Sequence, residues 1–272
     1  MKIKLAKKFT KILFLFLTAG AACSCQSRAE KFYNQAMGKI EQRKFLDAVD
    51  LLEDSAKLEK SNRLWSKTTF ESARILRFEI QDYNKALQVY KELILKSEDA
   101  TIRLQSQQAS AEIYFENLQD YSSATKEYLL LESLIHEPDK LEQIRLKIAQ
   151  SYRYTGNLKT ALEYIDVFMK EAKETKKAML KLKAQIFLSQ KKYDDALKCY
   201  GQIFAEDKEY FANENLYVAE DEALEEKQDY KGAMAYLTQN KDKIKDKTYL
   251  ELRFKRLNEK LENKPFIRGV RK

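Results

Sequence analysis

Residues 148–161 read Ile148-Ala149-Gln150-Ser151-Tyr152-Arg153-Tyr154-Thr155-Gly156-Asn157-Leu158-Lys159-Thr160-Ala161. A small residue and a large one three apart, a Gly-Asn turn, and a second large–small pair describe two helices meeting at a sharp connection. The second half of this stretch recurs. An aromatic or Leu stands three residues before an Ala at Phe45/Ala48, Tyr83/Ala86, Tyr121/Ala124, Leu158/Ala161, Tyr193/Ala196 and Tyr230/Ala233. The alanines are spaced 38, 38, 37, 35 and 37 residues apart. Asp82, Asp120, Asn157 and Asp229 precede four of the six motifs, and such side chains accept from a free amide at a helix start. A helix is therefore expected at each motif. Four residues after each Ala comes a large apolar side chain (Leu52, Tyr90, Tyr128, Ile165, Tyr200, Leu237), which puts both on one helical face. Upstream lie the pairs Ala73/Leu76, Ala111/Tyr114, Ala149/Tyr152 and Ala184/Phe187 on a preceding helix.

A two-helix unit repeated at this period resembles the tetratricopeptide repeat, ideally 34 residues long. The resemblance covers about residues 28–245 and implies an all-α, right-handed α-solenoid of about six helix–turn–helix repeats. Residues 148–161 match best. Repeats two and three carry one residue more between Ala and Tyr than repeat four does between Ala149 and Leu158. Repeat one has Lys39 where a large apolar residue is expected, and repeat six has Asp221 where Ala is expected. The six motif alanines (Ala48, Ala86, Ala124, Ala161, Ala196, Ala233) are read as the packing positions between helix A and helix B. Residues 246–263, with Tyr249, Leu250, Leu252, Leu257 and Leu261 among charges, read as an amphipathic capping helix over the last repeat. Pro265 ends helical order before a basic tail, 264–272.

The start of the chain reads as an address. Lys2, Lys4, Lys7, Lys8 and Lys11 precede an apolar run, Ile12 to Ala22, too short to span a bilayer. This is the pattern of a secretory signal peptide over residues 1–22. The cysteines that follow resemble a bacterial lipobox, with Cys23 favoured and Cys25 the runner-up, although Gly20 or Ala22 stands where that pattern prefers Leu. The resemblance implies a short tether, 23–27, acylated on its Cys by palmitate-type chains and held at the periplasmic face of the outer membrane. Ordinary cleavage after Ala21 is the alternative.

Composition narrows the chemistry. Six Gly and two Pro in 272 residues exclude a turn-rich β-sandwich, and 44% hydrophobic residues exclude wholesale disorder. His136 is the single His, with no ligand partner in sequence, so neither a metal site nor a cofactor is expected. Cys199, beside the packing residue Tyr200, reads as a buried structural thiol. The carboxylate pairs Asp194/Asp195 and Glu225/Glu226 read as exposed helix positions. The alternating runs 170–177 and 241–247 read as solvated helix faces. No nucleophile motif or phosphate loop is present, and no catalytic residue is expected. The formal charge of +8 falls to +3 without the five leader lysines, and to −1 without the four cations of the tail. A near-neutral body does not fit nucleic-acid binding.

The expected function is therefore a non-enzymatic, membrane-tethered scaffold that holds an envelope protein or peptide in its groove. In plan this resembles lipoprotein assembly factors of the outer membrane and of pili. By resemblance to the repeat family, the groove-facing positions include Glu112, Glu116, Gln150, Arg153, Lys181, Gln185 and Leu188. The alternative is a soluble secreted or periplasmic factor that binds a small ligand or the cell wall.

Overall fold

The computed structural model describes residues 26–262. The expected signal segment, Cys23, Cys25 and the basic tail lie outside them. Among the described residues there are fourteen α-helices and no strand. They are α1 (Arg28–Glu41), α2 (Phe45–Leu58), α3 (Asn62–Ile75), α4 (Tyr83–Lys96), α5 (Ala100–Glu112), α6 (Tyr121–Leu134) and α7 (Pro138–Tyr154). After these come α8 (Leu158–Phe168), α9 (Lys176–Ser189), α10 (Tyr193–Glu206), α11 (Lys208–Asn213), α12 (Leu216–Glu226), α13 (Tyr230–Asn240) and α14 (Lys247–Glu262). Short π-helical turns, Leu76–Ile80 and Ile113–Asn117, extend α3 and α5. The architecture is an all-α solenoid of helix–turn–helix repeats. No described helix is long and apolar enough to cross a membrane.

Every helix B starts on the aromatic or Leu of its motif, and the reason lies two residues upstream. Arg43, Gln81, Gln119, Gly156, Lys191 and Gln228 all adopt left-handed backbone, with φ between 53° and 79°. That conformation closes helix A and turns the chain back. The amide after the left-handed residue then reaches back five residues: Lys44 to Lys39, Asn157 to Tyr152, Lys192 to Phe187 and Asp229 to Leu224, at 2.8–3.0 Å. In repeat two the reach is six, from Asp82 to Leu76. The extra residue counted in the sequence is taken up there by the π turn, which widens the helix by one residue and leaves the connection unchanged. Asp82, Asp120 and Asp229 cap helix B through the amides of Lys85, Ser123 and Gly232. Asn157 does not cap. Its side-chain amide donates to Thr155 Oγ1 instead, at 3.1 Å.

The chain divides into two compact units between Ile113 and Tyr114. In the first, Ala36, Ala48, Ala73 and Ala86 are fully buried beside Leu52, Leu76, Tyr90, Leu93 and Ile113. The small side chains let α1 to α4 approach closely, and the large ones fill the spaces that remain. Lys39, the departure in repeat one, pairs with Asp47 of α2 at 2.8 Å.

In the second unit Ala149, Ala161, Ala184, Ala196 and Ala233 are fully buried with Ile165, Tyr200 and Leu237. Cys199 is buried here, and burial pushes its thiol up to about 11. The run 170–175 is not a helix face. It forms a loop whose amides at Lys173, Glu174 and Thr175 all donate to Glu142 of α7, at 3.0–3.1 Å. Thr175 Oγ1 donates to the same carboxylate. The run 241–246 is likewise a turn, pinned by buried Ile244. Alternating charge cannot distinguish the two cases, because a tethered loop is as solvated as a helix face. Helix A of repeat six is split into α11 and α12 by left-handed Asn215.

The cap explains the two largest departures from expectation. Asp221, standing where other repeats have Ala, is fully buried and accepts from Arg253 Nε and Nη2 of α14 at 2.9 and 2.7 Å. Arg253 also meets Glu225 at 2.5 Å, and Arg256 Nε donates to that carboxylate at 2.6 Å. Glu225 is thus buried and paired, not exposed as its sequence context suggested. Another repeat would present a small residue to α12. The capping helix presents an arginine, and an acid answers it. Burial pushes the Asp221 carboxyl up, while Arg253 pulls it down less strongly.

Candidate partner-binding surfaces

In the first unit the exposed side of α3 and its π turn meets α5. Arg77 Nη1 donates to Glu112 Oε2 at 2.8 Å, and Gln108 Nε2 donates to Glu112 Oε1 at 2.8 Å. The π turn buries Arg77 and leaves Phe78 more than half exposed beside it, with the guanidinium 4.6 Å from the ring centre. Arg74, Phe78, Gln105 and Glu112 border a cavity of about 240 Å³. Glu112 is thus a positioned member of a polar and aromatic hollow. The sequence reading missed Arg74, Arg77 and Phe78, although the extra residue before Tyr83 marked the place.

In the second unit, α7 carries a cationic and aromatic surface. Tyr121 and Tyr154 stack at 4.4 Å, and Phe115 stands edge-on to both. Lys147 Nζ lies 4.3 Å from the Phe115 ring centre and donates to Glu116 at 3.2 Å. Arg153 lies 5.3 Å from the Tyr154 ring, and Tyr154 is about half exposed. Such cation–aromatic pairs on a partly open face suit peptide recognition. Glu116 and Arg153 therefore both contact this cluster, and half-buried Gln150 lies on the same helix. Lys147, Tyr154 and Phe115 belong to it as well. An aromatic just past the packing residue Tyr152 was the available signal.

Further along, Lys181 of α9 donates to Glu214 at 2.5 Å, and Lys177 pairs with Asp207. Gln185 is half-buried on α9. Leu188 lies elsewhere, at the end of that helix, where it borders a cavity of about 380 Å³ with Lys191, Glu222, Arg253 and Arg256. The structure thus distributes the seven positions over four places: Glu112 in the first unit, Glu116, Gln150 and Arg153 on or beside α7, Lys181 and Gln185 along α9, and Leu188 beside the cap. Among the described residues no group of His, Cys, Asp and Glu is arranged to hold a metal ion. His136 is exposed in the segment that precedes α7.

No protein-family model matches the chain, and no curated protein matches it. Solved structures do. A tetratricopeptide repeat protein from Parabacteroides merdae superposes with a TM-score of 0.57 at 14% identity, over 86% of this chain and 87% of that one. The fold is that of tetratricopeptide repeat (TPR) proteins. The TPR-bearing signal-transduction ATPase of Pyrococcus horikoshii gives 0.57 at 15% identity, over 88% of this chain and 40% of that one. YrrB, described as a TPR protein with an unusual peptide-binding site, gives 0.50 at 15% identity, covering 70% and 91%. At these identities the likeness is one of fold. TPR proteins generally mediate protein–protein interactions, and the fold is typically a non-enzymatic scaffold.

Proposed function

We propose that the chain is a non-enzymatic, membrane-tethered scaffold of the bacterial cell envelope, of the outer-membrane or pilus assembly type. Its helix A faces hold a partner protein or peptide. The observation that carries the binding half is the α7 cluster, where Lys147 and Arg153 lie over partly open aromatic rings. Its charges and rings offer both hydrogen-bonding and apolar contact to an extended peptide. The peptide-binding site of YrrB, on the same fold, supports this reading. The tether rests on the lipobox-like Cys23, following a basic and then apolar leader.

Two measurements test the two halves separately. Mass spectrometry of the mature protein is expected to find an acylated Cys23, and Cys23→Ser/Cys25→Ser to release the protein from membranes. Retention of that variant after a high-salt wash contradicts the tether. For the scaffold, Lys147→Glu/Arg153→Glu is expected to lose an envelope partner that wild type captures from crosslinked membranes. Capture by both forms alike contradicts the assigned face.

A further inference from the structure

A second site lies in the first unit, lined by residues of α3 other than Arg74, Arg77 and Phe78. A cavity of about 370 Å³ opens between α2, α3 and α4. Its floor is one face of α3, where Trp65, Thr69 and Ser72 stand at i, i+4 and i+7. Leu52 and Val89 add apolar lining, and Glu53 of α2 and Glu92 of α4 add carboxylates.

Thr69 is 8% exposed and Ser72 is 2% exposed, and neither hydroxyl has a hydrogen-bond partner. Ser106 Oγ shares this state, but several other buried helical hydroxyls in this chain are bonded. Ser110, Thr125 and Ser151 turn back onto the carbonyls of Ser106, Tyr121 and Lys147, at 2.7–2.9 Å. Thr69 and Ser72 line the cavity with that bond unmade. A purely apolar occupant would leave both unanswered, which disfavours it. An anion would face both Glu53 and Glu92. Lys57 at the rim is in an exposed pair with Asp54 at 2.9 Å, and the charged lining is two carboxylates to this one ammonium. The two carboxylates are held only by partly exposed lysines, Glu53 by Lys85 and Glu92 by Lys96. Surface pairs of this kind are weak and readily exchanged. An indole is the strongest cation-binding aromatic side chain.

We propose that this cavity binds an organic ammonium on an apolar stem, taken up as a free small molecule. The ammonium lies between Glu53 and Glu92 beside Trp65, the stem against Leu52 and Val89, and the hydroxyls of Thr69 and Ser72 meet its polar end. The volume is at the small end of ligand sites and suits a ligand of about one ring and a short chain. The site is independent of the partner-binding faces.

Trp65 is the chain's single tryptophan, so its emission reports this cavity alone. Purified protein is titrated with 2-phenylethylamine, 2-phenylethanol and 3-phenylpropionate, with excitation at the red edge of tryptophan absorption. A saturable change with the amine is expected, weakened about tenfold by Glu53→Gln/Glu92→Gln, since a charge-assisted contact is worth about that factor. Thr69→Val, of nearly equal volume, is expected to weaken it several-fold while circular dichroism stays that of wild type. Equal responses to the alcohol or the propionate overturn the proposal. So does the absence of any saturable change with the amine.

Discussion

The left-handed residue that ends each helix A is the smallest unit on which the fold depends. Five of the six are not glycine: Arg43, Gln81, Gln119, Lys191 and Gln228. A side chain there costs roughly 1–2 kcal/mol, against the smaller gain it brings by stiffening the unfolded chain. Gln81→Gly and Lys191→Gly should therefore each raise stability by a few tenths to about 1 kcal/mol. Gly156→Ala should lower it by about 1 kcal/mol, with denaturant midpoints as the measure. An unchanged midpoint for Gly156→Ala contradicts this account of the turn. The sequence showed a glycine at this place in repeat four alone, because backbone strain borne by Gln or Lys leaves no compositional trace.

Glu142 also acts at the residue scale. Burial pushes its carboxyl up, but the amides of Lys173, Thr175 and Glu174 and the Thr175 hydroxyl together outweigh burial, so its pKa lies below the ordinary 4.5. The folded state then binds the proton less tightly than the unfolded chain does. Its contribution is present above pH 4.5 and is lost as pH falls through the lower folded value. Glu142→Gln should be less stable than wild type at pH 7, and the gap should close on acidification below 4.5. A gap that widens with acid contradicts the sign. Nothing in the run 170–175 announced this clamp, since its partner lies about thirty residues upstream.

At the scale of elements, periodic small–large pairs carried the reading. An alanine every 35 to 38 residues is legible because each repeat buries it against the same kind of neighbour, and all six motif alanines are fully buried. Ala161→Leu and Ala196→Leu should overpack the contact between helices A and B and cost roughly 1–3 kcal/mol. Unchanged melting in both contradicts that packing. The departures were legible as departures only. The extra residue of repeat two became a π turn, and Asp221 became the partner of Arg253. Arg253→Met strands the buried Asp221 carboxylate, while Glu225 keeps Arg256, and should cost about 3–5 kcal/mol; Asp221→Ala/Arg253→Met should recover most of the loss. A double variant no better than the single one contradicts the pairing.

For the whole molecule, the sequence carries architecture and leaves ligands open. Charge made this plain: the +8 arises from residues 1–22 and 264–272, and residues 23–263 between them carry −1. The cavity beside Trp65 was invisible in the chain, because α2, α3 and α4 contribute to it across forty residues and its hydroxyls sit among ordinary helix positions. Of the proposed partner-binding faces, the repeat register suggested the acidic and amide positions, whereas the rings beneath Lys147 and Arg153 emerge only once α7 packs. The claim that these faces hold a partner is tested most directly by photo-crosslinking in intact cells. A photoreactive residue at Gln150 or Gln185, on helix A, is compared with one at exposed Lys159, on helix B. A discrete crosslinked envelope protein from the helix A positions, and none from Lys159, is the predicted result. No adduct from either helix A position, or the same adducts from all three, contradicts it.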